Sequence, residues 1–189
     1  QPAYPLAELL GEVNAALDDL CRLRFTPGEL DYLGGLRFIK SDFIDFLRIF
    51  QFQRAFIEAR ADGEQLSIVA RGPQVHVMGF EIFVLAIVNE LYFRRIDPAA
   101  ALAEGRQRLA AKIERLRVLA GETACQHPFE MFDFGLRRRY SGAWQREVVQ
   151  TFATQAPQWF KGTSNVLLAR DLDLVPIGTM AHEYLQTYQ

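Results

Sequence analysis

The chain has 189 residues and a formal net charge of −2, so no strong basic field attracts it to nucleic acid. Half of its residues are hydrophobic, which predicts a packed core and excludes a disordered chain. The longest apolar run, Ile82 to Val88, is far too short to span a bilayer, and the N-terminus lacks the pattern of a signal peptide. We therefore expect a cytoplasmic protein that binds neither nucleic acid nor a membrane.

The cysteines and the two ends of the chain give further limits. Cys21 and Cys125 are far apart and form no CxxC pair, so neither a disulfide framework nor a cysteine metal site is expected. The chain starts with Gln1 rather than Met, and it ends at Gln189 inside a helical pattern. We therefore expect it to be a piece of a longer protein.

Three helices are predicted in the first 50 residues. Between residues 5 and 24, apolar side chains recur at i, i+3 and i+4, which is typical of an amphipathic helix. Thr26 is suited to cap a second helix, because Pro27 follows at the first helical position and Glu29 stands three residues after the cap. Ser41 is predicted to cap the third helix.

The sequence period changes in the next stretch. Asp62-Gly63 separates two alternating segments, which predicts a β-hairpin. Residues 73–78 are interpreted as a third strand. Residues 80–95 are apolar nearly all round, so a buried helix is expected there. Asp97-Pro98 then starts a long helix that is predicted to end near Gly121.

After residue 121 the pattern alternates between short apolar runs and helical segments. Three successive βα units predict parallel strands with right-handed crossovers. We expect an α/β protein, with an α+β N-terminal domain over residues 1–120 and the first βα units of an incomplete barrel over 121–189, because a closed barrel needs roughly 250 residues. The predicted segments are strands at 129–133, 158–161 and 175–178, and helices at 142–155, 165–171 and from 182.

The end of the first of these strands carries fixed positive charge. Asp133-Phe134-Gly135 terminates the apolar run, and three arginines, Arg137 to Arg139, follow directly. In α/β folds, ligands bind at the carboxyl ends of parallel strands, and a guanidinium group is suited to hold phosphate. One or two of these arginines are therefore expected to face a ligand. A protein-kinase role for Asp-Phe-Gly is excluded, because neither a Gly-rich loop nor a catalytic loop precedes it.

Two further strand ends combine glycine with polar residues. Gly162-Thr163-Ser164 precedes a helix and offers backbone N–H groups and hydroxyls to an anion, although simple capping by Ser164 is the alternative. Gly178-Thr179 is followed by His182, the one histidine of three that is placed at a strand end. Because parallel strands end on the same side, we expect the three ends to line one ligand-sized pocket.

These motifs resemble those of the nicotinate phosphoribosyltransferase family. The likeness lies in FDFGLRRRYS, FKGTSNVLLAR and PIGTMAHEYLQ, and earlier in FIKSDFIDFLRIFQF and GPQVHVMGFEIFVLAIVNE. It implies an irregular α/β barrel of the type II phosphoribosyltransferase class beside a mixed domain. It also implies a homodimer that joins nicotinate to phosphoribosyl pyrophosphate, with ATP hydrolysis and Mg²⁺, and releases nicotinate mononucleotide and pyrophosphate.

The resemblance assigns roles to individual positions. His182 matches the histidine that ATP phosphorylates in the family, and Thr179 matches a contact to nicotinate. Phe134 matches the aromatic residue that stacks on the pyridine ring in the related nicotinamide enzymes, and Arg137 matches an arginine at the phosphates. The other candidate substrate-binding residues are Arg138, Gly162, Thr163 and Ser164.

Two alternatives remain open at this stage. One is a nicotinamide phosphoribosyltransferase, against which Ser164 argues: that enzyme carries an aspartate there, which would repel the carboxylate of nicotinate. The other is a non-catalytic, phosphate-binding barrel fragment. The family's N-terminal Tyr-Lys motif and its C-terminal phosphate-binding segments do not occur in this sequence, so the isolated piece is not expected to contain a whole active site.

Overall fold

The computed structural model describes residues 5–95, 97–122 and 129–178. The chain forms two compact units, Gln1–Leu91 and Tyr92–Gln189. The division between the two units falls about 29 residues before the domain boundary expected from the sequence, and the long helix after Asp97 lies in the second unit. The expected domain boundary stays a prediction.

The first unit begins with the three expected helices. A 3₁₀ turn at Leu6–Leu9 leads into α1 (Leu10–Leu20), and α2 (Pro27–Gly34) and α3 (Ser41–Ile49) follow. The capping box of α2 is confirmed, because Glu29 N donates to Thr26 Oγ1 and Thr26 N donates to Glu29 Oε2, at 3.3 and 2.8 Å. The predicted cap of α3 is wrong by one position. Lys40 is the N-cap residue and makes no side-chain capping bond.

The predicted β-hairpin is confirmed. A 3₁₀ turn at Arg54–Phe56 leads into β1 (Ile57–Asp62), which pairs with β2 (Gln65–Ala70) in an antiparallel register that joins Asp62 to Gln65. Gly63 occupies the turn with φ of 60°. This is a left-handed conformation that glycine adopts without a steric penalty, so the Asp-Gly pair sets the place where the chain reverses.

The third strand predicted at 73–78 is wrong. Residues Gln74–Val77 form a short helix, α4, with Pro73 at its N-cap, and His76 N donates to Pro73 O at 2.9 Å. Proline favours the start of a helix because it has no N–H that would be left unbonded there. An apolar run of six residues does not by itself distinguish a strand from a helical turn.

The apolar helix is confirmed as a helix but not as a buried one. It is α5 (Phe80–Phe93), and Ile82, Phe83 and Leu85 are each more than a third exposed. By length and composition, the stretch Gln74–Phe93 is apolar enough to cross a membrane, with a mean hydropathy of 1.5, although the longest apolar run suggested no such segment. A single stretch of this kind is weak evidence for a membrane-spanning helix.

The second unit is a parallel sheet packed on helices. Strands β3 (Met131–Asp133), β4 (Phe160–Thr163) and β5 (Val175–Pro176) pair in that order, both pairs parallel, which confirms the predicted α/β arrangement. The connecting helices are α7 (Gly142–Gln155) and α8 (Val166–Asp171). The long helix α6 (Pro98–Glu122) starts as predicted, with Ala99 N donating to Asp97 Oδ1 at 3.0 Å. The buried residues of this core are Leu109, Ile113, Val149, Phe152, Ala156, Phe160 and Leu168.

Candidate functional site

The carboxyl ends of the three described parallel strands lie side by side. Asp133, the last residue of β3, is in register with Thr163, the last residue of β4, and Thr163 is in register with Pro176. Two backbone hydrogen bonds extend the pairing past the strands, from Ser164 N to Asp133 O at 2.8 Å and from Ile177 N to Thr163 O at 3.1 Å. The turns that follow the strands are therefore brought together at one edge of the sheet.

The turn after β3 presents an aromatic ring and positive charge. Phe134 is 52% exposed, although it follows a half-buried strand directly. A 3₁₀ turn, Leu136–Arg138, comes next, closed by a bond from Arg138 N to Gly135 O at 3.1 Å. The side chains of Arg137 and Arg138 are both exposed. This turn thus combines a flat apolar surface with two cations, which are the groups expected to contact a ring and its phosphates.

Glycine 162 has a steric role in the sheet. A Cβ atom at this position would lie 2.0 Å from the carbonyl oxygen of Val175 in β5, a distance that no real contact allows. The absence of a side chain at Gly162 therefore lets β5 pair closely with β4. Its assignment as a substrate-binding residue stays a prediction.

The residues after Gly162 divide into buried and accessible positions. Thr163 is fully buried, and Ser164 is half-buried. The capping interpretation of Ser164 is wrong, because the N-cap of α8 is Asn165, whose Oδ1 accepts a bond from Leu168 N at 3.3 Å. The Ser164 hydroxyl is consequently not used as a helix cap. Contacts of Thr163 and Ser164 with a substrate remain predictions.

A ring of hydrogen bonds that the sequence did not predict lies beneath these turns, and we call it the strand-end ring. Asp133 Oδ2 accepts from Thr163 Oγ1 at 2.7 Å and from Gln145 Nε2 at 2.8 Å. Asn165 Nδ2 donates to Gln145 Oε1 at 3.1 Å, and Asn165 N donates to Thr163 Oγ1 at 3.0 Å, which closes the ring. One available signal was Asn165 itself, since Asn is a preferred N-cap residue and the predicted helix starts at that position.

The third strand end is described only as far as Gly178. Gly178 is exposed and is the last described residue, so Thr179 and His182 lie outside the described residues and their roles stay predictions.

Among residues 5–95, 97–122 and 129–178, no group of three or more His, Cys, Asp or Glu side chains could hold a metal ion. The expected Mg²⁺ stays a prediction.

The first unit has cavities of its own. One, of about 240 Å³, has mainly apolar walls that include Leu20, Phe25, Phe50 and Phe52. Another, of about 320 Å³, is lined largely by polar and charged residues, among them Asp18, Arg22 and Arg54. Neither cavity includes a residue of the strand ends, so the candidate site for a phosphorylated substrate is the edge of the parallel sheet.

Comparison with known proteins identifies the family. A model described as the nicotinate phosphoribosyltransferase N-terminal domain matches residues 1–89, and a model of the nicotinate phosphoribosyltransferase family matches residues 129–189. A protein of Herminiimonas arsenicoxydans with that name is 61% identical over 188 residues, which cover 100% of this chain and 47% of the relative. The chain belongs to the nicotinate phosphoribosyltransferase family. It spans about half the length of the curated relatives that it matches.

Further relatives agree in sequence and in fold. The nicotinate phosphoribosyltransferase of Neisseria gonorrhoeae is 53% identical, over 98% of this chain and 47% of the relative. The crystal structure of nicotinate phosphoribosyltransferase from Vibrio cholerae matches with a TM-score of 0.80 and 32% identity, over 97% of this chain and 44% of that one. The crystal structure of nicotinate phosphoribosyltransferase from Porphyromonas gingivalis matches with a TM-score of 0.76 and 29% identity. The match covers 95% of this chain and 45% of that one. The resemblance in the sequence motifs is therefore confirmed, and so is the α/β fold class.

Proposed function

We propose that the complete protein containing this chain joins nicotinate to phosphoribosyl pyrophosphate and releases nicotinate mononucleotide and pyrophosphate. The observation that carries the proposal is the pairing of the Asp133–Arg139 turn with the Gly162–Asn165 turn at one sheet edge, in a chain of this family. The first turn offers a ring and cations, and the second offers a hydroxyl. A substrate with a pyridine ring, a carboxylate and phosphates matches these groups.

The arginines are suited to the leaving group. In the transfer, the bond from the ribose carbon to pyrophosphate breaks while the pyridine nitrogen of nicotinate attacks that carbon. Negative charge develops on the departing pyrophosphate, and cations fixed beside it lower the barrier. Their exposure on a short 3₁₀ turn that follows β3 supports this proposed role for Arg137 and Arg138. Mg²⁺ bound to the phosphates would supply further charge neutralisation.

Nicotinate recognition is assigned to the groups between the two turns. The exposed ring of Phe134 can stack on the pyridine, and the Ser164 hydroxyl can donate to the carboxylate, since a hydroxyl is a donor that a carboxylate accepts. An aspartate in place of Ser164 would repel that carboxylate and would favour a carboxamide. Thr179 is proposed as a further contact to nicotinate. Gly162 and Thr163 are buried, so their proposed part in substrate binding is to shape the turn that carries Ser164.

We further propose that ATP is the energy source and that His182 is its phosphate acceptor. A neutral imidazole nitrogen is nucleophilic near neutral pH and needs no separate strong base. The support is its place in the sequence Gly178-Thr179-Met180-Ala181-His182, four residues after the exposed Gly178 at the end of β5. Transfer of the γ-phosphoryl group to His182 breaks the phosphoanhydride bond of ATP and leaves ADP.

The decisive assay uses the complete purified protein. Nicotinate or nicotinamide is supplied with phosphoribosyl pyrophosphate and Mg²⁺, with and without ATP, and mononucleotide formation is measured. We expect product from nicotinate only, faster with ATP. Product from nicotinamide alone would instead support the alternative enzyme, and no product from either base would support a non-catalytic phosphate-binding protein.

The His182 assignment has its own measurement. Incubation with γ-labelled ATP should give a base-stable, acid-labile label, and His182→Asn should remove the label and uncouple ATP use. Slow transfer should persist in this variant, because the arginines are unchanged. Label that persists in His182→Asn would contradict the assignment and would leave the transferase proposal intact.

The oligomeric state and the location are proposed on the resemblance. We propose that the complete protein is a homodimer of the cytoplasm with its active site at the subunit boundary. Light scattering beside the activity assay tests the dimer. A monomer with full activity would contradict it.

A further inference from the structure

The strand-end ring lies directly beside the proposed contacts to nicotinate. Asp133 precedes Phe134 in the chain, and Ser164 stands between Thr163 and Asn165. Three members of the ring, Gln145, Thr163 and Asn165, are at most 9% exposed. Because these members are buried, the ring as a whole acts on the substrate through the positions of its neighbours.

Asp133 connects both turns through separate atoms. Its Oδ1 accepts a bond from Gly135 N at 2.9 Å, which fixes the turn that carries Phe134. Its Oδ2 holds Thr163 and Gln145, and its backbone oxygen accepts the bond from Ser164 N. One residue therefore determines where the turn after β3 stands relative to the turn after β4.

The ring permits one arrangement of its amides. Gln145 Nε2 faces the carboxylate of Asp133, while Gln145 Oε1 faces Asn165 Nδ2. Rotating the Gln145 amide by half a turn would place an acceptor against the acceptor of Asp133 and a donor against the donor of Asn165. Since Gln145 is only 4% exposed, water cannot readily replace the lost bonds. The polar ring thus holds the strand ends in a single geometry.

We propose that Asp133 is a positioning residue for nicotinate, holding Phe134 and Ser164 at a fixed separation through the strand-end ring. This inference rests on the proposed function. A displacement of about 1 Å in a contact can cost on the order of 100-fold in rate, so a loosened turn is expected to have a measurable effect.

The first test is Asp133→Asn in the complete protein. The amide has one acceptor oxygen, so either the bond from Gly135 N or the two bonds from Thr163 and Gln145 must be lost. We expect the KM for nicotinate to rise about tenfold. The KM for phosphoribosyl pyrophosphate should change less than about twofold, because the 3₁₀ turn that carries Arg137 and Arg138 is closed by its own bond from Arg138 N to Gly135 O, which does not involve Asp133. A reduced amount of folded enzyme would lower kcat and leave both KM values unchanged.

A second substitution is designed to restore the ring. In Asp133→Asn with Gln145→Glu, the amide and the carboxylate exchange places, so residue 133 can donate to residue 145 and Asn165 Nδ2 still finds an acceptor. We expect this double variant to recover most of the loss in nicotinate KM. No recovery together with a normally folded protein would contradict coupling through the ring.

The matched control is Asp171→Asn, the same chemical change at the other end of α8, where Asp171 pairs with Arg146 and Arg170 on the surface. Its nicotinate KM should equal that of the wild type, and a rise equal to that of Asp133→Asn would overturn the proposal. So would an unchanged nicotinate KM in Asp133→Asn.

A second ring variant covers the case in which Asp133→Asn does not fold. Asn165→Asp keeps the helix cap but loses the donor to Gln145, and a wild-type nicotinate KM in this variant would also overturn the proposal. A wild-type protein without transferase activity would instead refute the proposed function, and this inference with it.

Discussion

The two units of the chain bury different kinds of side chain. In the part of the chain that the structure describes, the buried residues of the first unit are all hydrophobic, among them Leu9, Val13 and Leu17 in or beside α1. Among the residues that the structure describes, the buried polar ones are Gln145, Thr163 and Asn165, and all three belong to the strand-end ring of the second unit. The buried polar side chains of the described residues therefore lie at the edge of the parallel sheet that we propose as the binding site.

This difference has a physical meaning. A hydrophobic core is held by contacts that have little directional preference, so it tolerates swaps between side chains of similar volume. A buried hydrogen-bonded ring depends on distances and angles, and each lost partner leaves a desolvated group. The first unit can thus be stable in many sequences, whereas the second fixes one geometry at the ends of its strands.

The largest effect is expected from Gly162→Ala. The added Cβ would stand 2.0 Å from Val175 O, so β5 would have to move away from β4. We expect a loss of more than about 3 kcal/mol in the free energy of unfolding, because the obstacle is backbone rather than a flexible side chain. The matched control is Gly178→Ala, since a Cβ there meets nothing within 4 Å. Urea unfolding followed by circular dichroism measures both variants, and equal losses in the two would contradict the steric account.

A paired substitution to methionine compares the two kinds of interior directly. Leu17→Met keeps the volume of a fully buried side chain in the first unit and should cost less than about 1.5 kcal/mol. Gln145→Met keeps a similar shape in the second unit, but Asp133 Oδ2 and Asn165 Nδ2 each lose a bond. Asp133 Oδ2 keeps the bond from Thr163 Oγ1, so the expected cost is roughly 1–3 kcal/mol for the buried Asn165 donor that is left without its acceptor. The same unfolding measurement applies, and a larger loss for Leu17→Met would reverse the comparison.

The sequence predicted well those features that depend on neighbouring residues. The capping box of Thr26 and Glu29, the turn at Gly63 and the alternation of parallel strands with helices are all confirmed. Each follows from residues a few positions apart, whose conformational preferences act locally. The positions of the arginines after β3 follow in the same way, because they depend on where that strand ends.

Some local predictions were also wrong, namely the caps of α3 and α8 and the strand at 73–78. The features of the site that the sequence missed depend on distant contacts. The bonds from Asp133 to Gln145 and to Thr163 join residues 12 and 30 positions apart, and no periodicity marks them. The exposure of Phe83 in α5 could not be read from its apolar sequence, because composition does not state which faces meet a partner. For the candidate site, the sequence located the turns that we propose face the ligand, and it missed the buried groups that hold them.

The smallest effect is expected from Asp171→Asn, at the end of α8 away from the strand-end ring. Hydrogen bonds from Arg146 and then Arg170 hold the pKa of the Asp171 carboxyl below its usual value. A carboxyl whose pKa is lower in the folded state contributes stability above the unfolded pKa of about 3.9 and loses it as the pH falls through the folded pKa.

The difference in unfolding midpoint between wild type and Asp171→Asn should therefore be small at neutral pH and should shrink as the solution is acidified below about pH 4. Added salt should also reduce it, because both partners are exposed. The paired Arg106 and Glu147 are unchanged in both proteins, so their own titration cancels in the comparison. A difference that grows on acidification would show that Asp171 stabilises the second unit by some means other than its ion pairs.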